Sequence, residues 1–340
     1  MRSKLSKGLG IALLFLLTAA VPARPANMNA QSYASLGDET LASYIEQALR
    51  QNPAISEAFS RYQAALAKAP QVSTLPDPVL SFTQFSQSPE TRVGPQRGMV
   101  GITQKIPWWG KLGDREAIAL KEAEALAAEY EVQRDEVVRR VKLAYYDLSY
   151  IDVALRVTEE DLSILRHFEE LAQARYAQGV GLQQAVVKLQ AEVTRDLNRL
   201  EILRRQRVDS EAALNAAIGS NPNDPRQTIS QFPVPKPELS YERLFDLARD
   251  NRPELESRFR QVEAEDRRIQ LARRDYLPDL TLGASYADVG GREDPAGRAS
   301  PPPDNGKNVL SFTVGINIPI FRSKYDAAVV EASERFAAAK

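Results

Sequence analysis

Gly110-Lys111-Leu112-Gly113 at one end and Arg175-Tyr176-Ala177-Gln178-Gly179-Val180-Gly181-Leu182 at the other bracket a stretch with no proline between Gly110 and Gln178. It is rich in Ala, Glu, Leu and Arg, all good helix formers. Within it Val141, Leu148, Leu155 and Leu162 recur every seven residues, with Ala144, Ile151, Leu165 and Ala172 at the companion positions and Thr158 as the polar member. A repeat of seven keeps one apolar seam on a helix, so the pattern predicts a coiled coil. A continuous helix of this length spans about 100 Å at roughly 1.5 Å per residue. Glycines at 179 and 181 permit the left-handed backbone that ends a helix. Past them Val186, Val193 and Leu200, then Leu214 and Ile218, mark a return helix that stops before Gly219-Ser220-Asn221-Pro222. Residues 110–218 therefore read as a long antiparallel helical hairpin with its tip at 179–182.

Working outward, the flanks of the hairpin are duplicated. Leu49-Arg50-Gln51-Asn52-Pro53 resembles Ala248-Arg249-Asp250-Asn251-Arg252-Pro253. Leu75-Pro76-Asp77-Pro78 resembles Tyr276-Leu277-Pro278-Asp279, and Ile106-Pro107-Trp108 resembles Ile318-Pro319-Ile320. Helices near 40–70 and 240–274 should end by Pro76 and Pro278, because proline disfavours helix in the residue before it. Five prolines between Asn221 and Pro237 mark a linker. The expected division is a first repeat over 37–219, a linker over 220–239 and a second repeat over 240–340. The second repeat opens its own hairpin near Arg322, so by the arithmetic of the first about ninety further residues are expected.

Four segments alternate with period two, which sends neighbouring side chains to opposite faces. They are Val79–Gln87, Met99–Ile106, Leu280–Tyr286 and Leu310–Ile318. Val100, Ile102, Leu280, Leu282, Leu310, Phe312, Val314 and Ile316 form apolar rows opposed by Ser, Thr and Gly. Such strands suit a half-buried soluble sheet or a membrane barrel with lipid on one side and water on the other. Export of the chain and strand lengths of about 8–11 residues favour the barrel. Trp108 and Trp109 follow the second strand. They suit a membrane–water boundary, and they equally suit packing of a strand-to-helix turn. Four strands cannot close a barrel, and an open sheet in lipid leaves edge groups unpaired. Three copies supply twelve strands, above the roughly eight that small barrels need. The connections Ser88 to Arg97 and Val289 to Lys307 are polar and turn-rich.

The N-terminus has a basic start at Arg2, Lys4 and Lys7, an apolar run from Leu9 to Ala20, and small residues at Ala23 and Ala26. This is the layout of a secretory signal peptide, assigned to residues 1–23. With 44 basic and 45 acidic side chains, the 340-residue chain lacks the basic excess of a nucleic-acid binder. It has no cysteine and a single histidine, His167, which excludes thiolate and multi-histidine metal centres. No nucleotide-binding glycine loop is present, and no cofactor is expected. Glu159-Glu160 and Glu169-Glu170 read as exposed helix surface, since catalytic acids sit in clefts. Arg204-Arg205-Gln206-Arg207, Arg267-Arg268 and Arg273-Arg274 read as solvated faces, with Glu201, Glu211, Asp266 and Asp275 as nearby counter-charges.

Taken together, Ile106-Pro107-Trp108 with Gly110-Lys111-Leu112-Gly113, the tip Arg175 to Leu182, the helix end from Ala213-Leu214-Asn215 to Gly219, and Tyr276-Leu277-Pro278-Asp279-Leu280 resemble the TolC family of outer-membrane efflux proteins over residues 37–340. The Trp-Gly-Lys-Leu-Gly segment is most similar to heavy-metal efflux members such as CzcC and CusC. The resemblance implies an α+β membrane protein. Four strands per subunit enter a trimeric 12-stranded barrel, and long antiparallel coiled-coil helices form a periplasmic α-barrel. It implies a homotrimer in outer-membrane lipid, acting as the exit duct of a tripartite efflux system with a periplasmic adaptor protein and an inner-membrane pump. Gly179, Val180, Gly181 and Leu182 would contact the adaptor. The alternative is an envelope structural coiled-coil protein without a channel, which has no use for strands with one apolar face.

Overall fold

The computed structural model describes residues 39–229 and 240–340. The expected signal peptide and the second half of the expected linker lie outside the described residues. The elements run α1 (Glu39–Gln51), α2 (Pro53–Ser73), β1 (Val79–Gln84), β2 (Glu90–Thr91), β3 (Gly94–Ile106), α3 (Lys111–Ala177), α4 (Gln183–Ile218), α5 (Tyr241–Asn251), α6 (Pro253–Arg274), β4 (Leu280–Val289), α7 (Pro295–Ala299), β5 (Val309–Ile316) and α8 (Arg322–Ala339).

The duplication expected from the sequence organises the helices. Each helix expected before a strand is broken in two, at Asn52-Pro53 and at Arg252-Pro253. The residue before a proline resists helical backbone, while proline itself suits the first helical position. Asn52 reinforces the first restart by accepting a hydrogen bond from the Ala54 N–H at 2.9 Å. The second halves end at Ser73 and Arg274, before Pro76 and Pro278 as the sequence predicts.

Helix α3 is the backbone of the molecule, 67 residues and therefore about 100 Å long. It packs against α2, α4 and α6 in turn, while α8 lies on α6. The core sits where α1 crosses the base of the hairpin. There Leu41, Ile45 and Ala48 of α1 meet Val137, Val141, Tyr145 and Leu148 of α3 and Leu214 and Ile218 of α4. The expected seam is buried at Val141, Leu148 and Leu162 and half-buried at Leu155. Thr158 is buried and gives its hydroxyl proton to the Ala154 carbonyl at 2.8 Å.

The first half of the expected linker is not a loose tether. Buried Asn215 donates to the carbonyls of Pro222 and Asp224, and buried Asp152 accepts from the Ile229 N–H at 2.9 Å and from Arg207 Nε at 2.6 Å. These bonds lash residues 222–229 to the hairpin.

The strands form one antiparallel sheet of order β1-β3-β4-β5, with β2 as a short flap on β3. Some bounds differ from expectation. β1 ends at Gln84 and β5 at Ile316, whereas β3 begins at Gly94 and β4 runs on to Val289. The long edges of the two central strands pair with each other, Gln96 opposite Val289, so part of each expected loop is sheet. The second connection also holds the short helix α7.

Candidate functional site

Three places carry the features that sequence reasoning singled out, and the first is the sheet. Register brings the expected apolar residues onto one continuous face. Leu80 lies opposite Ile102 and Phe82 opposite Val100. Val100 lies opposite Tyr286 and Ile102 opposite Ala284. Leu280, Leu282, Ala284 and Tyr286 then face Ile316, Val314, Phe312 and Leu310. Leu282, Val100, Ile102, Leu310, Phe312, Val314 and Ile316 are all exposed, Phe312 by 77% and Val314 by 72%, while Leu280 is half-buried. The other face carries Ser81, Thr83, Gly101, Thr103, Thr281, Gly283, Ser285, Ser311, Thr313 and Gly315. Water on both sides would leave the apolar face unsatisfied across four strands, and a soluble protein rarely exposes so large a patch. Lipid against one face and water against the other satisfies both.

The second place is the junction between sheet and helices, whose central residues the sequence reading named without pairing them. Pro107 ends β3, and Gly110 takes a left-handed φ of 87° before α3 begins. That backbone favours glycine, and a Cβ there would also push the Arg274 guanidinium aside. The turn is held against the second repeat through Asp279. Its carboxylate accepts from the Trp108 N–H at 3.1 Å and from Lys111 Nζ at 2.9 Å, and it pairs with Lys105 at 3.1 Å. Lys111 is buried and also donates to the Leu277 carbonyl at 2.8 Å. Arg274 adds an ion pair to buried Asp114 at 2.8 Å. Burial pushes the Asp279 carboxyl up, and the bonds from Lys111, Trp108 and Lys105 outweigh it, holding the group below the usual carboxylate range. Trp108 is half-buried in this turn, and its ring meets that of the 69% exposed Trp109 edge-on at 5.0 Å. The signal for the clamp was present in the sequence: a lysine after Trp-Trp-Gly and an aspartate after Leu-Pro.

The third place is the hairpin tip. The Gln178 N–H bonds to the Ala174 carbonyl and the Val180 N–H to the Arg175 carbonyl at 3.1 Å. Gly179 has a φ of 74°, and a Cβ on Gly181 would press on the Tyr176 backbone at 2.8 Å. Both glycines are thus required by the turn. Val180 and Leu182 are each 75% exposed, two apolar side chains at the far end of the helix.

A further surface escaped the sequence reading. Leu143, Tyr150, Val157, Ile164 and Leu171 recur every seven residues along α3, all of them exposed. His167 is exposed on the same helix, lining a shallow groove with Glu159, Glu170 and Arg204. Among the arginine clusters, Arg204 pairs with Glu201 and Arg207 with Glu211 as expected, but Arg207 also takes Asp152 and Arg268 takes Glu122 and Glu265. Asp275 pairs with Lys111 at 3.5 Å. No helix among the described residues is long and apolar enough to cross a membrane.

Known proteins match this arrangement. The family described as outer membrane efflux protein matches residues 44–220. "Toxin and drug export protein A" of Aggregatibacter actinomycetemcomitans is 20% identical over 260 residues, covering 74% of this chain and 57% of that protein. The chain thus spans little more than half the length of this curated relative. Among solved structures, the outer membrane protein VceC from Vibrio cholerae superposes with a TM-score of 0.70 at 19% identity, over 92% of this chain and 76% of its own. CusC superposes with a TM-score of 0.66 at 16% identity, over 89% of this chain and 72% of its own. These structures share the fold, a helical barrel continued by a β-barrel. With the family matched over more than half of its length, the chain belongs to the outer membrane efflux proteins, its sheet in the outer membrane and its helices reaching into the periplasm.

Proposed function

We propose that the chain is the passive exit duct of an efflux assembly. The observation that carries the reading is the sheet: one mainly apolar face broken by Gln104, one face rich in hydroxyls and glycines, and two open edges, joined to a hairpin of about 100 Å. An open edge in lipid costs several kcal/mol per unpaired group, so the sheet must close with further copies. Three copies give twelve strands and a homotrimer. Val100, Ile102, Leu280, Leu282, Leu310, Phe312, Val314 and Ile316 would face lipid, and Trp108 and Trp109 would sit at its periplasmic boundary. Solutes would pass along the Ser, Thr and Gly face without chemistry, so no catalytic role is assigned.

The helices supply the periplasmic half of the duct. The exposed row from Leu143 to Leu171 suits lateral packing against another helix. The apolar face of α5 is likewise open: Tyr241, Leu244 and Phe245 are exposed, whereas of their counterparts in α1 Leu41 and Ile45 are buried against α3 and α4 and Tyr44 is half-buried. A second helical pair like α3 and α4 would cover it. Gly179, Val180, Gly181 and Leu182 would meet a periplasmic adaptor, which would join the duct to an inner-membrane pump. What is exported is set by that pump.

The test is to reconstitute the protein, together with the second helical pair that would cover α5, in planar bilayers. Uniform single-channel steps from a membrane-inserted trimer are expected. Folded, inserted protein that passes no current would leave the structural coiled-coil reading in its place.

A further inference from the structure

The two connections at the end of the sheet away from the helices are tied to each other by main-chain bonds. The Gly290 N–H donates to the Pro95 carbonyl and the Gly306 N–H to the Val93 carbonyl, both at 2.8 Å. Side-chain amides add to the tie. Asn305 Oδ1 accepts from the Arg292 N–H at 2.7 Å, and Asn308 Oδ1 accepts from the Val289 N–H at 2.9 Å. Gly94 and Gly290 are buried where the connections cross. Gly94 has a φ of 121°, and a Cβ on it would run into the Gly290 carbonyl oxygen. The first connection thus holds the second from far away in sequence.

Asn305-Gly306 lies inside this tie, and it is the one Asn-Gly step in the chain. Such a step carries its own chemistry. The Gly306 nitrogen can attack Asn305 Cγ, because glycine has no side chain to obstruct the approach. A bond from that nitrogen to Cγ forms as the Cγ–Nδ2 bond breaks. The Gly306 amide proton passes through water to the departing Nδ2, which leaves as ammonia. Water then opens the succinimide at either carbonyl, giving aspartate or isoaspartate. The sum is water in and ammonia out, with nothing oxidised or reduced. Asn308 and Asn317 precede Val309 and Ile318, whose branched side chains crowd the same attack. In the structure both reacting groups of Asn305-Gly306 are occupied: the nucleophile's N–H is committed to Val93, and the carboxamide is turned to Arg292.

We infer that Asn305 is a site of spontaneous deamidation whose rate is set by the tie between the two connections. While the tie is closed, the Gly306 nitrogen and Asn305 Cγ are held to different partners and do not react. Each local opening frees both, so the rate follows the population of the open form. The products work against reclosure. Isoaspartate lengthens the main chain ahead of Gly306, which carries the Gly306 N–H away from the Val93 carbonyl. Aspartate places a second carboxylate next to Asp304. Passing openings of the outer end are thereby turned into a lasting one.

The protein, produced with the second helical pair as for the bilayer measurement, is held in outer-membrane vesicles at mildly alkaline pH. Peptide mapping by mass spectrometry then separates asparagine, aspartate and isoaspartate at position 305. The native protein should convert at least severalfold more slowly than the urea-unfolded chain, and Asn308 and Asn317 should hardly convert in either. Gly94→Ala, which strikes the Gly290 carbonyl, should speed conversion at Asn305 severalfold. Arg292→Pro, which deletes the N–H donor to Asn305, should do the same. Arg292→Ala keeps that N–H and should match wild type. The variants are compared where their circular dichroism matches wild type, and the native-against-unfolded comparison needs no variant. Equal rates in native and unfolded wild type would overturn the inference. Wild-type rates in both Gly94→Ala and Arg292→Pro would overturn it as well, since protection would then lie outside the tie. Equal acceleration in Arg292→Ala and Arg292→Pro would move the control to the Arg292–Asp294 ion pair and away from the amide bonds. Asparagine that survives at 305 in the unfolded chain would remove the site.

Discussion

Lys111 and Asp279 concentrate the cost of joining the two repeats into one contact. Both side chains are out of water, Lys111 almost entirely, and breaking a buried pair strands the remaining charge. Lys111→Met should therefore destabilise the junction by about 3–5 kcal/mol. Lys105→Met, at the exposed arm of the same carboxylate, should cost no more than about 1 kcal/mol. Thermal dissociation of the purified variants checks the contrast. The clamp also has a pH dependence of known sign. Because the folded carboxyl titrates below its unfolded value, the stabilisation is complete above about pH 4 and is lost as pH falls through the folded pKa. Acid titration of wild type against Asp279→Asn should show the difference between them shrinking only below that point. The sequence identified the turn at Trp108 and the Tyr276-Leu277-Pro278-Asp279 motif separately. It did not join them, because a pairing across 168 residues leaves no periodic trace along the chain.

Elements were legible where one period ran long. The helix pair at 110–218 and the placement of its tip follow directly from spacing seven and two glycines, and the structure has α3 and α4 at 111–177 and 183–218. Strand ends were harder. Gly94-Pro95-Gln96-Arg97 has no strand signal of its own and is extended because Gly94 and Pro95 pair with β2 and Gln96 with Val289 of β4. Where the alternation was clean, in β5, it assigned the faces well enough to predict energies. On the proposed lipid assignment, Val314→Arg should cost about 2–4 kcal/mol near the bilayer midplane, and Thr313→Arg less, since its face would look into water. Urea unfolding from vesicles of matched thickness measures both, and equal costs would remove lipid from that face. The second heptad row on α3 was present in the sequence at the same spacing as the first. It was passed over because one row already explained a coiled coil. Val157→Glu and Ile164→Glu should leave the α3–α4 pair folded by circular dichroism. Each should weaken assembly about tenfold or more, the worth of one buried aliphatic side chain.

For the molecule as a whole, the sheet and the tip lie at opposite ends of one long helix, which would divide membrane insertion from the proposed partner contact. Val180→Cys should crosslink to the adaptor in cells, whereas a cysteine at Tyr130, near the base of the helix, should not. The reverse pattern would mean that the partner docks at the other end. One consequence of the two apolar rows on α3 concerns shape. Val141 and Leu143 differ by two residues, roughly 200° around a helix of 3.6 residues per turn, so the buried and exposed rows point about 160° apart. Adding the column of Ala144 and Ile151 draws the buried row round and narrows the angle to roughly 130°. Helices joined through faces set at such an angle cannot make a flat raft. Each one turns the next by about 20–50°, and the array becomes a polygon that meets itself after somewhere between about seven and eighteen sides. The curvature of the wall is thus a phase difference between two columns of leucines, valines and isoleucines on a single helix.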